Sequence, residues 1–271
     1  MAKAKGLVFP LGLVLVWVLL GCTGTLNSQI LPSLGEVLET FGYLFREGLL
    51  WSHLSSSLFR VFAGFALATL VGVPIGILMG CVPQSREWFG PPLHFLRQIP
   101  PTALIPVFLL WFGIGEAPKL AVIFYAAIFP IIVNGALGVQ EIPQDYFEVS
   151  RVLCLSPWKT LRNLVIPGSW GSVFTGLRLG MGMSWRAIVA AEMLASTSGL
   201  GYLVMTARSL ARVDEMFVGI LVIGFMGILI DAAFITLENH LIPMWRSAKR
   251  VGRGERDAKC ASRTAPSLQE V

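Results

Sequence analysis

Charge is scarce in this chain. Of 271 residues only 14% are Asp, Glu, Lys or Arg, against about 25% in ordinary globular domains. Hydrophobic residues make up 55% and the mean hydropathy is +0.71. One water-soluble core cannot hide that much apolar surface, so the composition predicts an all-α polytopic membrane protein with no sizeable soluble domain. Cysteine is nearly as rare. Cys22, Cys81, Cys154 and Cys260 lie far apart and at no metal-ligand spacing, which excludes a zinc motif and argues against disulfides. His53, His94 and His240 are scattered too, so no metal site is expected. Two missing motifs narrow the chemistry further. The sequence holds no G-x-x-x-x-G-K-[ST] phosphate loop, so it is not expected to bind ATP in the usual way. The apolar segments hold no paired catalytic carboxylates and no nucleophile–base motif, which argues against an intramembrane enzyme. No cofactor is expected. The net charge of +5 would suggest nucleic acid as the partner of a soluble protein. Here the basic residues sit in loops and a tail, where membrane topology accounts for them.

A spanning helix needs roughly 20 mostly apolar residues. Six candidates are present, near Gly6–Gly21, Leu54–Val82, Leu93–Phe112, Lys119–Val139, Trp170–Leu194 and Met216–Leu237. The third is interrupted by Pro100, Pro101 and Pro106. It reads either as a broken helix beside a pathway or as a cytoplasmic elbow before a short span. With the N-terminus inside, the inner segments hold 14 of the 21 Lys and Arg residues. The outer segments hold four, Arg46, Lys119, Arg208 and Arg212, and Arg60, Arg178 and Arg186 fall within spans. This bias predicts a multi-pass protein of a bacterial inner membrane with both termini cytoplasmic. The run ending Leu19-Leu20-Gly21-Cys22 resembles a lipoprotein signal, but five further spans favour an ordinary first helix over cleavage at Cys22.

Three regions follow. Residues 1–53 hold the first span and an outer segment, Ser33–Phe45, with apolar residues at helical spacing. Ser33 and Glu36 predict a capping box there, and the helix is expected to lie at the outer interface and cover the bundle. Residues 54–245 form the transmembrane core, with a cytoplasmic segment at 140–167. Residues 246–271 form a basic tail, expected to be disordered and to lie against anionic lipid headgroups. Within the core, Gly64, Ala68, Gly72, Gly76 and Gly80 recur every four residues, a ladder that lets another helix approach closely; Gly176 and Gly180 repeat the pattern.

The segment Glu148–Pro167, EVSRVLCLSPWKTLRNLVIP, is polar, basic and helix-forming between apolar runs. Asp145 with Glu148 predicts one helix start. Ser156 with Pro157 predicts a second. The two short helices should meet at Cys154-Leu155, where a small residue keeps the elbow tight, and Pro167 should stop the elbow before the next span. Val149, Val152 and Leu153 would form an apolar ridge beside Glu148, Arg151, Lys159 and Arg162.

This segment resembles the coupling loop of ABC importer permeases, usually E-A-A, three residues, G, nine residues, I-x-L-P. Here Val149 and Ser150 replace the alanines, Cys154 replaces the glycine, and Leu164 and Ile166 stand where Ile and Leu are usual. Further segments are similar to the nitrate/sulfonate/taurine-type permeases. They are SLFRVFAGF at Ser57–Phe65, LLWFGIGEAPK at Leu109–Lys119, FTGLRLGMGMSW at Phe174–Trp185, VAAEML at Val189–Leu194 and SGLGYL at Ser198–Leu203. The resemblance implies a six-helix permease, homodimeric, that imports a small anion by alternating access. It also implies two copies of a separate ATPase subunit that bind the ATP, and a periplasmic or lipid-anchored binding protein. Glu148, Val149, Ser150, Arg151, Cys154 and Pro167 would then contact the ATPase.

Ionisable groups at membrane depth are functional candidates. Arg178 lies roughly 12 Å up the fifth span, at the height of Asp231 in the sixth, which predicts an ion pair locking the two helices. Arg178, Trp185 and Glu192 share one face of the fifth span and Arg186 stands some 80° away. These four, with Gln98, Thr102 and Asn134, are candidates for a substrate path. Arg60 is the candidate partner of Glu192. The alternative function is an ATP-independent channel or secondary carrier for small anions; the elbow and the absence of an internal repeat argue against it.

Overall fold

The computed structural model describes residues 12, 15–19 and 30–241, the last by its backbone only. Helix α1 (Leu34–Arg46) begins with the expected capping box. The Ser33 hydroxyl accepts the Glu36 amide at 3.3 Å, and the Glu36 carboxylate accepts the Ser33 amide at 2.8 Å. Its buried face carries Val37 and Leu44. The Thr40 hydroxyl donates to Asp214 at 2.6 Å, and the Trp17 indole donates to the Pro32 carbonyl at 3.0 Å. The helix therefore covers the bundle at the start of the last described helix.

Gly48, at φ +73°, turns the chain into α2 (Leu49–Cys81). After α3 (Pro83–Leu96) come a 3₁₀ turn at Pro101–Leu104, α4 (Ile105–Phe112) and α5 (Ala117–Gln140). Then follow α6 (Gln144–Val152), α7 (Pro157–Thr160), a π turn at Leu161–Val165, α8 (Ile166–Ala195), α9 (Leu200–Ser209) and α10 (Val213–Leu241). Helix α5 is the centre, with α2 on one side and α8 on the other. The glycine ladder makes the first contact. A Cβ added at Gly76 would stand 2.7 Å from the Ile132 carbonyl oxygen, and one at Gly64 2.7 Å from the Ile123 side chain. Gly176 and Gly138 do the same at the contact of α5 with α8, 2.9 Å from the Pro130 carbonyl and 2.8 Å from the Ser169 carbonyl. Val61, Val122, Ile123, Ile131 and Ile188 are fully enclosed between these helices.

Three described helices are long and apolar enough to cross a membrane alone: Leu49–Cys81, Ala117–Gln140 and Val213–His240. Two bent pairs bring the number to five. The candidate first span, 6–21, lies largely outside the described residues, as does the tail 246–271. The third candidate span is broken, one of the two forms its prolines allowed. Leu93–Phe112 is not one helix but part of a pair, Pro83–Leu96 and Pro101–Phe112, bent by 81°. The Pro100-Pro101 pair removes two successive amide donors and pushes Ile99 and Pro100 away from helical backbone. By contrast, Pro74 and Pro130 sit inside continuous helices.

Candidate functional site: an exposed elbow and an enclosed polar network

The elbow differs in detail from the expectation. Pro143, with φ of −58°, precedes α6 without a side-chain cap, so Asp145 lies inside the first turn. There its carboxylate favours the helix N-terminus through the backbone dipole instead of capping it. At the other end the Leu155 amide donates to the Ser150 carbonyl at 3.0 Å, across the left-handed Cys154 at φ +50°. This is a Schellman-type stop with cysteine at the position where glycine is usual. Left-handed backbone costs an L residue roughly 1–2 kcal/mol. Cys154→Gly is expected to hold or raise the Tm of the purified protein, and the β-branched Cys154→Val to lower it by a few degrees. The opposite order would show that the elbow does not need this conformation.

The second arm begins as predicted, with the Ser156 hydroxyl accepting the Lys159 amide at 3.4 Å and Pro157 in the first turn. Pro167 does not stop the elbow. The arm runs through the π turn into α8, so that Pro157–Ala195 is one continuous rod. The wider π turn makes room for the proline ring, which would clash in a regular α-helix. Val149, Val152 and Leu153 stand out from the protein, Val152 being 82% exposed, with Tyr146 and Trp158 beside them. Glu148, Arg151 and Cys154 are also exposed, whereas Ser150 is buried and donates to the Phe147 carbonyl at 2.8 Å.

At the opposite end of α8 the structure assembles a polar network. The Glu192 side chain is wholly enclosed. It accepts from the Ser57 hydroxyl at 2.8 Å, from Arg60 Nη1 at 2.8 Å and from the Gly201 amide at 3.1 Å. Arg60 also donates to both oxygens of Glu116, at 2.6 and 2.9 Å, and to the Ser198 carbonyl at 2.8 Å. Lys119 Nζ donates to Glu116 at 2.9 Å, and the Leu200 amide to Ser57 at 2.9 Å. Hydrogen bonding to Arg60, and then to Lys119, holds the Glu116 carboxyl down at about 2. Sequence reasoning paired Arg60 with Glu192 but missed Ser57, Glu116 and Lys119. The available signal was that four of the quoted segments, at 57–65, 109–119, 189–194 and 198–203, each supply a member.

The remaining candidates separate. Arg178 forms a two-pronged ion pair with Asp231, at 2.7 and 2.9 Å, between α8 and α10. Trp185 and Arg186 line the same cleft. Trp185 is buried and donates to the Ile223 carbonyl at 3.1 Å, while Arg186 is exposed. Glu192 is not on this cleft. Gln98 and Thr102 lie exposed at the 81° break. Asn134 donates to the Pro130 carbonyl at 2.8 Å, at the α5–α8 contact.

Residues 72–247 match the family described as binding-protein-dependent transport system inner membrane component. The putative aliphatic sulfonates transport permease protein SsuC of Bacillus subtilis is 33% identical, over 90% of this chain and 88% of its own length. The taurine transport system permease protein TauC of Escherichia coli is 33% identical over 85% and 86%. The nitrate import permease protein NrtB of Synechocystis is 37% identical, also over 85% and 86%. Among solved structures, a chain of the inward-facing MetNI methionine ABC transporter superposes with a TM-score of 0.60 at 18% identity, over 74% of this chain and 98% of that one. That likeness shows a shared fold. Membership follows from the matched residues and the full-length relatives: the chain belongs to the family of inner-membrane components of binding-protein-dependent transport systems.

Proposed function

We propose that this chain is the permease subunit of an ATP-driven ABC importer for a small anion of the nitrate, sulfonate or taurine class. One observation carries the reading. An apolar ridge at Val149, Val152 and Leu153 is exposed at the end of a short helix, and the elbow's second arm continues without a stop into α8. Exposed apolar ridges flanked by charge mark contact with a partner. The partner is an ABC ATPase, two copies of which bind the ATP and drive the elbows of a permease homodimer. Glu148, Val149, Ser150, Arg151, Cys154 and Pro167 form the coupling segment. A binding protein outside the membrane delivers the solute, and both termini lie in the cytoplasm. The anion class rests on the relatives' names and on the arginines of the α8–α10 cleft.

Charge reversal at the elbow tests the coupling. Glu148→Arg is expected to lower ATP-driven anion uptake more than tenfold while the chain still inserts and co-purifies with a second copy of itself. Unchanged uptake would sink the docking role. Mass spectrometry of the native complex, drawn from its own membranes, should show the ATPase pair; a lone chain or homodimer would favour the carrier.

A further inference from the structure

The cleft between α8 and α10 carries more charge than a lipid-facing surface tolerates. Arg178 and Asp231 are paired there, yet their side chains remain 35% and 53% exposed. Arg186 stands two turns further along α8, about 12 Å by helical rise. It is exposed, and the hydrogen bond it makes within the described residues is to its own helix, Nε to the Gly182 carbonyl at 2.9 Å. Its guanidinium is folded back over Gly182, in the direction of Arg178, and Nη2 would stand 3.6 Å from a Cβ placed on that glycine. A guanidinium has five N–H donors, and Arg186 lines the cleft with one of them used by its own helix. Asp231 answers Arg178. The next acid on α10, Glu238, is seven residues further on, about 10 Å. An exposed cation at this depth is costly against hydrocarbon and is placed where water or a partner reaches it.

Two of the three glycines lining the cleft support the same conclusion; the third, Gly227, closes on Trp185, whose Nε1 would stand 3.3 Å from its added Cβ. Gly64, Gly76 and Gly80 of α2 are small because another helix presses on them. Gly224 of α10 meets nothing within 4 Å, and Gly182 meets only the flexible end of Arg186. Their smallness opens space instead of closing a contact. The cleft they leave measures about 610 Å³, enough for a small ion with part of its water shell.

We propose that this cleft is a water-filled station for a small oxyanion in transit, with Arg186 as the group that favours anions and Arg178 fixed beside it by Asp231. The proposal deepens the importer reading and rests on it for the direction of flow. Its test does not use transport. In the complete complex, with Cys22, Cys81 and Cys260 changed to Ser and Cys154 to Gly, a cysteine probe replaces Gly224. It is challenged in native membranes with a sulfonate-bearing, negatively charged methanethiosulfonate and with its trimethylammonium counterpart. We expect the anionic reagent to react about tenfold faster after correction for intrinsic rates. Arg186→Gln should erase that preference, whereas Arg186→Lys should keep most of it. Arg186→Gln is not expected to unfold the protein, since among the described residues the hydrogen bond of this exposed side chain is to its own helix turn. No reaction with either reagent would show that the face meets lipid or another helix and would overturn the station. Equal rates, or a preference that survives Arg186→Gln, would overturn the role of Arg186. Co-purification of the ATPase, scored on the same membranes, reports separately on the importer reading.

Discussion

Arg60→Met is expected to destabilise the folded protein by about 3–5 kcal/mol, the usual result of removing one partner from a buried ion pair. Glu192 has a wholly enclosed side chain. Without Arg60 its carboxylate keeps only the Ser57 hydroxyl and the Gly201 amide. Two neutral donors do not offset the loss of hydration of a buried carboxylate. The damage should also spread, because the same guanidinium ties Glu116, ahead of α5, and Ser198, ahead of α9, to α2. Thermal unfolding in detergent measures the effect. The double variant Arg60→Met with Glu192→Gln should recover a substantial part of it, since the orphaned charge is gone. A single variant as stable as the parent would mean that Glu192 is not ionised in the folded protein. Acid sensitivity gives an independent reading. The Glu116 carboxyl is depressed from 4.5 to about 2, so its contribution is complete above pH 4.5 and fades as the pH falls toward 2. That loss should shrink in Arg60→Met.

Gly76→Leu is expected to prevent accumulation of folded permease. Even the first side-chain atom would stand 2.7 Å from the Ile132 carbonyl and 3.1 Å from its Cα. These are backbone atoms of α5 and cannot turn aside. Overpacking a helix contact costs typically 1–3 kcal/mol when side chains can adjust, and more when two backbones must separate. Gly224→Leu is the matched control: it adds the same atoms where nothing stands within 4 Å. Comparable loss of folded protein from both would show that the ladder's glycines are not packing residues.

What could be read from the sequence depended on how local the signal was. The ladder on α2, the capping box at Ser33 and the Ser156–Pro157 helix start are set by residues within one or two turns, and each is found where the spacing put it. Height along a helix is nearly as local: a constant rise placed Arg178 level with Asp231, and the two side chains meet. Beyond the Arg60–Glu192 pair, the enclosed network was out of reach because Glu116, Ser198 and Gly201 act from short loops and helix starts whose fold-back carries no periodicity. Proline was read correctly at Pro100-Pro101, where the candidate span is broken, and misread at Pro167, which does not stop the elbow because the arm runs through the π turn into α8.

That π turn sets a phase. An α-helix advances about 100° per residue, and a π turn accommodates one residue more than regular winding would. Everything on the elbow's side of it is therefore rotated by about 100° relative to the faces of α8. The direction in which Trp158 points depends on the five residues Leu161–Val165, and the elbow's apolar ridge is carried round with it through the turn at Cys154-Leu155. Removing one residue there would leave the span and its cleft in place and turn the elbow a quarter of the way round the rod.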